Sequence, residues 1–271
     1  MRFMSSHPAI ELKNVSLSFE EKRVLAGVSF SVGAGETLFL LGVTGSGKSV
    51  LLKLMLGLLK PDEGRVYVDG QDLVLLPEEK LHPIRRRMGI VFQEGALFDS
   101  LSVLENVAYR LREEGLDDEA TIEQRVREVL RFVQMEHAIE KMPADLSGGM
   151  RRRVSVARAI VSNPTIMLYD SPTAGLDPVT SHTINLLIAK LRDVQHVTSV
   201  VVTHRLQDAF TLANFVFSSV QQNLVPIKQL QQPAGAMPRQ FIVLRDGSVY
   251  FEGTQEDMVS TDDPYLRKFL A

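Results

Sequence analysis

The sequence predicts an α/β fold with a mostly parallel core sheet, an antiparallel β layer and a helical lobe. Three observations carry this expectation. Buried-type strand runs at residues 165–169 and 198–202 flank a helix-periodic stretch at 179–193, the alternation that builds a parallel sheet covered by helices. A third apolar run, residues 37–41, leads into a glycine-rich loop and then an apolar helical start at 50–56. Residues 10–19 and 28–32 instead alternate apolar and polar side chains, as half-buried antiparallel strands do.

The remaining elements follow in chain order. Residues 60–64, Lys-Pro-Asp-Glu-Gly, form a turn before a strand at 65–68 that ends at Asp69-Gly70. A short strand at 88–92 is followed at once by Gln93. Apolar positions at helical spacing among many charges predict helices over 103–114 and 121–140. A further helix is expected over 144–161, and the helical lobe spans 98–161. The pattern weakens between Phe215 and Leu244, where a surface excursion at 218–240 reads as a loop joining two strands. Asp246-Gly247 then predicts the turn of a hairpin between 241–244 and 248–251. With no internal repeat and no long linker, residues 1–271 read as one domain.

A chain of 271 residues can bury a full core, and 45% hydrophobic with 23% charged residues is ordinary for a globular protein. The net charge of -3 offers no general attraction to nucleic acid or anionic lipid. The absence of cysteine excludes disulfides and thiolate metal sites and fits a reducing compartment. The first 14 residues lack the apolar core of a secretory signal, and no window reaches 18 uncharged apolar residues. The expectation is a soluble, cytoplasmic protein that meets a membrane only through a partner.

Chemistry is concentrated first in Gly42-Val43-Thr44-Gly45-Ser46-Gly47-Lys48-Ser49, which fits G-x-x-x-x-G-K-[ST] without mismatch. Strand, glycine loop and helix are the context this phosphate-binding pattern requires. Glycines let backbone N–H groups converge on one anion, and the following helix adds the positive end of its dipole. Lys48 would set a point charge on the β- and γ-phosphates of a nucleotide, and the Ser49 hydroxyl would ligate Mg²⁺. A second anion site is expected where Ser147, Gly148 and Gly149 open a helix. If the two cradles lie on different lobes, two copies related by a two-fold axis can share them head to tail.

With these motifs in order, the sequence resembles the ATP-binding cassette (ABC) family over nearly its whole length, which implies a P-loop NTPase of cassette type. The resemblance rests on the phosphate loop, on Leu146-Ser147-Gly148-Gly149-Met150, and on a strand ending Leu168-Tyr169-Asp170. It rests also on Gln93, on Ala174-Gly175-Leu176-Asp177 and on Val202-Thr203-His204. It implies that ATP and Mg²⁺ are bound, with Asp170 and Gln93 joining Ser49 at the metal, Asp177 near the nucleotide and His204 at the γ-phosphate. Phe19 stands where the family places an aromatic on adenine; an aromatic at a strand end is an equal reading. A narrower resemblance, to the MlaF group of Mla-type (Mce-associated) lipid transporters, lies in residues 93–107 and 263–270. It implies a homodimer on the cytoplasmic face of a transmembrane permease and an Mce-domain partner. In some such systems a small STAS-domain protein joins, and phospholipid or another apolar compound is the cargo. The segment after Gln93 is the expected coupling surface.

One position departs from the family. Where a catalytic glutamate follows the strand aspartate, this chain reads Asp170-Ser171-Pro172. A hydroxyl orients water but does not accept a proton at neutral pH as a carboxylate does, and losing a general base costs roughly 10²–10⁴-fold in rate. Phosphoryl transfer leans more on positioning and charge neutralisation. Two expectations therefore stand: a transport ATPase of reduced turnover, or an ATP-binding clamp that scarcely hydrolyses. Arginine triplets at 85–87 and 151–153 raise a nucleic-acid reading, against which the balanced charge counts; solvated faces or dimer contacts are expected instead.

Overall fold

The computed structural model describes residues 7–115, 118–229 and 238–270. In chain order it runs β1 (Ile10–Phe19), β2 (Lys22–Val32), β3 (Thr37–Gly42), α1 (Lys48–Met55), β4 (Glu63–Val68), β5 (Gln71–Asp72), α2 (Glu78–Arg85) and β6 (Met88–Val91). The helical part follows as α3 (Val103–Glu114), α4 (Glu119–Phe132) and α5 (Gly148–Ile160). Then come β7 (Ile166–Asp170), α6 (Pro178–Gln195), β8 (Thr198–Val202) and α7 (Leu206–Asn214). The chain ends with β9 (Phe215–Ser218), β10 (Asn223–Pro226), β11 (Arg239–Arg245), β12 (Ser248–Gly253), α8 (Gln255–Ser260) and α9 (Pro264–Leu270).

The central sheet has the order β12-β11-β3-β8-β7-β6, parallel throughout except for the antiparallel edge strand β12. Its strands are apolar on both faces because each face covers a core. Leu38 and Leu40, Val200 and Val202, Ile166 and Leu168, and Ile242 and Leu244 enter the core shared with α1, α2 and the antiparallel sheet. The alternate residues Phe39, Leu41, Val201, Met167, Tyr169, Phe241 and Val243 enter the core shared with α3 to α7. A two-residue period thus feeds two cores from one sheet. Each fully buried aliphatic side chain contributes about 1.5–3 kcal/mol relative to exposure. The second sheet, β2-β1-β4-β5, is the expected antiparallel layer.

Local departures from the expected elements have local causes. β2 begins at Lys22 rather than 28, because its pairing with β1 slips by one residue between Val15↔Val28 and Leu17↔Leu25. Gly27, at φ +64°, absorbs that bulge and breaks the alternation. α4 stops at Phe132 instead of reaching 140. Gln134 takes φ 59°, its N–H bonds Arg131 O at 3.1 Å, and Met135 N–H reaches back to Leu130 O at 2.7 Å. This is a left-handed helix stop in which glutamine holds the position usually filled by glycine. α5 starts at Gly148, not 144, because Leu146 and Ser147 are extended and Pro143–Asp145 forms a separate 3-10 turn. The hairpin at Asp246-Gly247 forms as expected, with φ of 49° and 76° at the turn. Part of the expected excursion is itself a hairpin, β9 on β10, with Phe217 and Val225 buried. The rest of that expected loop, residues 230–237, lies outside the described residues.

Gly89 in β6 shows how closely this sheet packs. A Cβ there would meet Met167 Sδ and lie 2.6 Å from Ala159 O, a backbone atom that cannot swing aside. Gly89→Ala is expected to lower stability by about 1–3 kcal/mol through overpacking, read as a shifted urea midpoint at unchanged slope.

Candidate functional site

The parallel register sets the site. Leu40 of β3 lies beside Val202 of β8, Val202 beside Asp170 of β7, and Tyr169 beside Val91 of β6. The carboxyl ends of four adjacent strands are therefore level, and the loops leaving them begin at one sheet edge. Lys48 and Ser49, His204, Asp170 and Ser171, and Gln93 are brought to that edge. Ligands of open α/β sheets bind outside such strand ends.

The phosphate loop is shaped by close approaches. A Cβ on Gly42, at φ +147°, would lie 2.6 Å from Leu244 O and 2.7 Å from Ser46 Oγ. At Gly47, φ +98°, it would lie 2.6 Å from Leu25 Cδ2, so the hairpin of β1 and β2 that carries Phe19 abuts the loop. Gly45, at φ +83°, faces open space, and Val43 and Thr44 are exposed. Lys48 is 8% exposed, and its ammonium donates to Gly42 O and Val43 O, both at 2.8 Å, and to Ser46 Oγ at 3.4 Å. Burial pushes its pKa down, and the nearby Asp170 carboxylate opposes that shift. The lysine is thus a positive charge fixed against the loop's own carbonyls. The residues fit an anionic nucleotide: the glycines leave room that side chains would fill, and the cation is in place.

Around this loop the chain supports its polar groups through contacts the sequence did not announce. Gln93 is exposed, but its carbonyl and that of Phe92 both accept from Arg152 of α5, the latter at 2.5 Å. Arg152 is 5% exposed, and burial lowers its pKa against the pull of Asp170 and Glu94. Arg158 similarly donates to Gly95 O at 3.0 Å. The turn after β8 and the loop after β7 are tied by a second network. Asp208 accepts from Thr173 Oγ1 at 2.5 Å and Asn185 Nδ2 at 2.8 Å, while Arg205 donates to Thr173 O at 3.2 Å and pairs with Asp208 at 3.4 Å. His204, next to Arg205, is left exposed. Ser171 is buried at φ 46°, its N–H bonds Val202 O at 2.9 Å, and its hydroxyl lies 3.4 Å from Asp170 Oδ1.

Ser147, Gly148, Gly149 and Asp177 form a separate group. Ser147 caps α5 by accepting from Met150 N–H at 3.2 Å. Gly149 is pressed on Thr180 of α6, where a Cβ would collide with its methyl group. Asp177 caps α6, accepting from Val179 and Thr180 N–H at 3.0 Å and from the Thr180 hydroxyl at 2.6 Å, bonds that hold its carboxyl below the usual range. Among the described residues no hydrogen bond or ion pair joins this group to the phosphate loop. Several arginines of the two triplets are tied to the chain while part of the first stays solvated: Arg85 donates to Leu56 O and Gly57 O, and Arg151 to Leu146 O, whereas Arg86 and Arg87 are exposed and pair with Glu114 and Asp69.

Residues 25–174 match the ABC transporter family, more than half of the chain. The chain belongs to the ABC transporter family. It is an ATP-binding cassette ATPase. Its relatives include the probable ribonucleotide transport ATP-binding protein mkl of Mycobacterium leprae, 36% identical over 97% of this chain and 68% of that protein. The intermembrane phospholipid transport system ATP-binding protein MlaF of Haemophilus influenzae is 35% identical over 92% of this chain and 96% of its own length. Among solved structures, a dimeric post-hydrolysis state of the ATP-binding cassette MJ0796 bound to ADP and Pi superposes with a TM-score of 0.74. It is 32% identical and covers 90% of this chain and 98% of that one. These likenesses accord with the expected P-loop cassette fold. Among the described residues of the cassette, no helix is long and apolar enough to cross a membrane.

Arg152 gives a direct check on the geometry. Arg152→Met strips two carbonyls of a charged donor, which costs about 1.5–3 kcal/mol. Faster amide exchange over residues 92–95, measured by mass spectrometry, is expected alongside the lowered urea midpoint.

Proposed function

We propose that this cassette binds Mg-ATP as a head-to-tail homodimer and powers a transporter of phospholipid or another apolar compound. The observation that carries the reading is the level set of strand ends, which gathers the phosphate loop, Asp170, Gln93 and His204 at one sheet edge. Gly42 to Gly47 would cradle the phosphates with backbone N–H groups, Lys48 would neutralise them, and Phe19 would lie against the adenine. Ser49, Asp170 and Gln93 would hold Mg²⁺, which supplies charge neutralisation between the terminal phosphates. His204 would orient the γ-phosphate and the attacking water, with the Ser171 hydroxyl beside it. Among the described residues Ser147, Gly148 and Gly149 make no bond to the chain's own phosphate loop, and they would close the nucleotide of the second copy. Asp177, spent on its helix cap, acts by positioning that interface.

A transmembrane permease is the expected partner, with the cassette peripheral on the inner face. A groove of about 550 Å³ is bounded by Leu58, Arg86, Arg110 and Phe92, the residue before Gln93. The neighbouring Phe98 and Tyr109 are 43% and 42% exposed with ring centroids 4.8 Å apart. With His82, Arg85, Glu113 and Glu114 also lining the groove, these would supply a mixed apolar and charged docking surface. The curated names of the relatives point to two cargoes, ribonucleotide and phospholipid. The MlaF-like run at 93–107 favours phospholipid, and with it Mce-domain and STAS-domain partners.

A second reading, a nucleotide clamp of little turnover, is favoured by Ser171 itself. Its hydroxyl bonds Asp170, and it brings no carboxylate to the place of the family's general base. Phosphate release from Mg-ATP by the natural chain, Ser171→Glu and Lys48→Ala, with ATP binding in parallel, separates the two. Under the transport reading the natural chain turns over and Lys48→Ala does not. Binding without turnover, raised 10²-fold or more by Ser171→Glu, would establish the clamp.

A further inference from the structure

The loops that carry Ser171 and His204 are joined by a buried carboxylate to which the nucleotide chemistry assigns no part. Asp208, in the first turn of α7, is 6% exposed. Its Oδ2 accepts from the Thr173 hydroxyl at 2.5 Å and pairs with Arg205 Nε at 3.4 Å, and its Oδ1 accepts from Asn185 Nδ2 at 2.8 Å. Arg205 Nη1 reaches on to Thr173 O at 3.2 Å and to the Ser181 hydroxyl at 3.0 Å. One carboxylate thus gathers three elements: the loop after β7, α6 and the turn after β8.

Both ends of this bridge stand next to a residue of the site. Thr173 is 1% exposed and lies two residues after Ser171, in a loop that closes on itself through Ala174 N–H to Ser171 O at 3.0 Å and Leu176 N–H to Thr173 O at 3.2 Å. Arg205 directly follows His204, and its N–H donates to Thr203 Oγ1 at 3.0 Å on the other side of that histidine. His204 is exposed, so its imidazole is aimed chiefly by the backbone that flanks it. The backbone at Ser171 and the backbone at His204 are therefore referred to one point, Asp208.

Stability alone does not account for that point. Desolvation of a buried carboxylate largely offsets its attraction to one guanidinium, and apolar side chains of similar volume often hold elements together as well or better. Asp208 is satisfied by three donors, but Asn185 Oδ1 is left buried without a partner among the described residues, a cost that apolar packing would avoid. What directed bonds supply and apolar contacts do not is one fixed orientation.

We infer that Asp208 is a positioning residue for ATP hydrolysis, holding Thr173 and Arg205 so that Ser171 and His204 face one γ-phosphate. This role rests on the proposal that those two residues meet the nucleotide, and it concerns turnover rather than binding. Lys48 is held by bonds internal to the phosphate loop, to Gly42 O, Val43 O and Ser46 Oγ, none of which runs through the bridge. A misplacement of about 1 Å at the reacting atoms costs about 10²-fold in rate.

The test measures kcat for phosphate release and the Kd for Mg-ATP in Thr173→Val, Thr173→Ser and Asp208→Asn. Each is made in the full natural chain and again beside Ser171→Glu, with urea midpoints in parallel and Lys48→Ala as the blank. Thr173→Val removes the hydroxyl at nearly equal volume, Thr173→Ser keeps it, and Asp208→Asn removes the charge at the same shape. Thr173→Val and Asp208→Asn are expected to lower kcat by about 10–100-fold with Kd unchanged, and Thr173→Ser to keep most of the natural rate. Unchanged kcat in the folded Thr173→Val and Asp208→Asn chains would overturn the role. So would Kd weakening in step with kcat, or a Thr173→Ser chain as slow as Thr173→Val, since a merely structural contact predicts either. Asp208→Asn keeps the test open should Thr173→Val fail to fold. Should neither the natural chain nor Ser171→Glu release phosphate, hydrolysis itself is refuted and this role with it. That result is seen before the bridge is altered, which separates it from failure of the bridge alone.

Discussion

Everything chemical in this protein depends on the register of its parallel sheet. Leu40, Val202 and Asp170 stand abreast, and a slip of one residue in any pairing would move each strand's apolar set to the opposite core. Both sets are apolar, so what opposes the slip is the fit of particular side chains in each close-packed core. The same constraint that keeps Leu38 and Leu40 in one core and Phe39 and Leu41 in the other keeps the strand ends level. Precision at the site is a by-product of burial.

The phosphate loop meets the sheet end with its cation already placed. Lys48 is bonded to two backbone carbonyls and a hydroxyl, so its long side chain loses little further freedom when an anion arrives. Arg152 performs the matching task for Gln93, holding the backbone of the loop while leaving the side chain exposed. In both places the charged group organises main chain; the Gln93 side chain is left at the surface, whereas the buried Lys48 ammonium is itself the group proposed to meet the anion. Arg205 and Asp208 do the same for the turn that ends in His204.

How much of this the sequence disclosed follows from the range of each interaction. The phosphate loop, the strands around it and the Asp-Gly hairpin are local patterns, and each lies where periodicity and turn chemistry put it. Boundaries set by unusual residues were hidden: Gln134 stops α4 in a conformation normally signalled by glycine, and the bulge at Gly27 disguises the first half of β2. Supporting residues were hidden for a different reason. Arg152 and Phe92 are 60 positions apart, and Thr173 and Asp208 are 35 apart, so no local motif contains them. Arg152 even sat in an arginine run that suggested a solvated or contact surface. α7, with nine residues, and α2, interrupted by Pro83, are too short or too irregular for periodicity to declare.

The unusual residue at the centre of the site is unusual in chemistry only. Ser171 sits at φ 46°, a conformation that costs a non-glycine residue about 1–3 kcal/mol and persists only where its surroundings impose it. The imposition is visible: its N–H is held by Val202 O at 2.9 Å, and Thr173 two residues on is held by Asp208 and Arg205. None of these bonds involves the Ser171 side chain. A glutamate at this position would inherit the same backbone and the same strain, since both residues carry a Cβ. The fold therefore presents the Ser171 side chain beside Asp170 with a hydroxyl and no carboxylate. The bonds that hold the backbone here do not run through the Ser171 side chain, whose own contribution beside Asp170 is a hydroxyl.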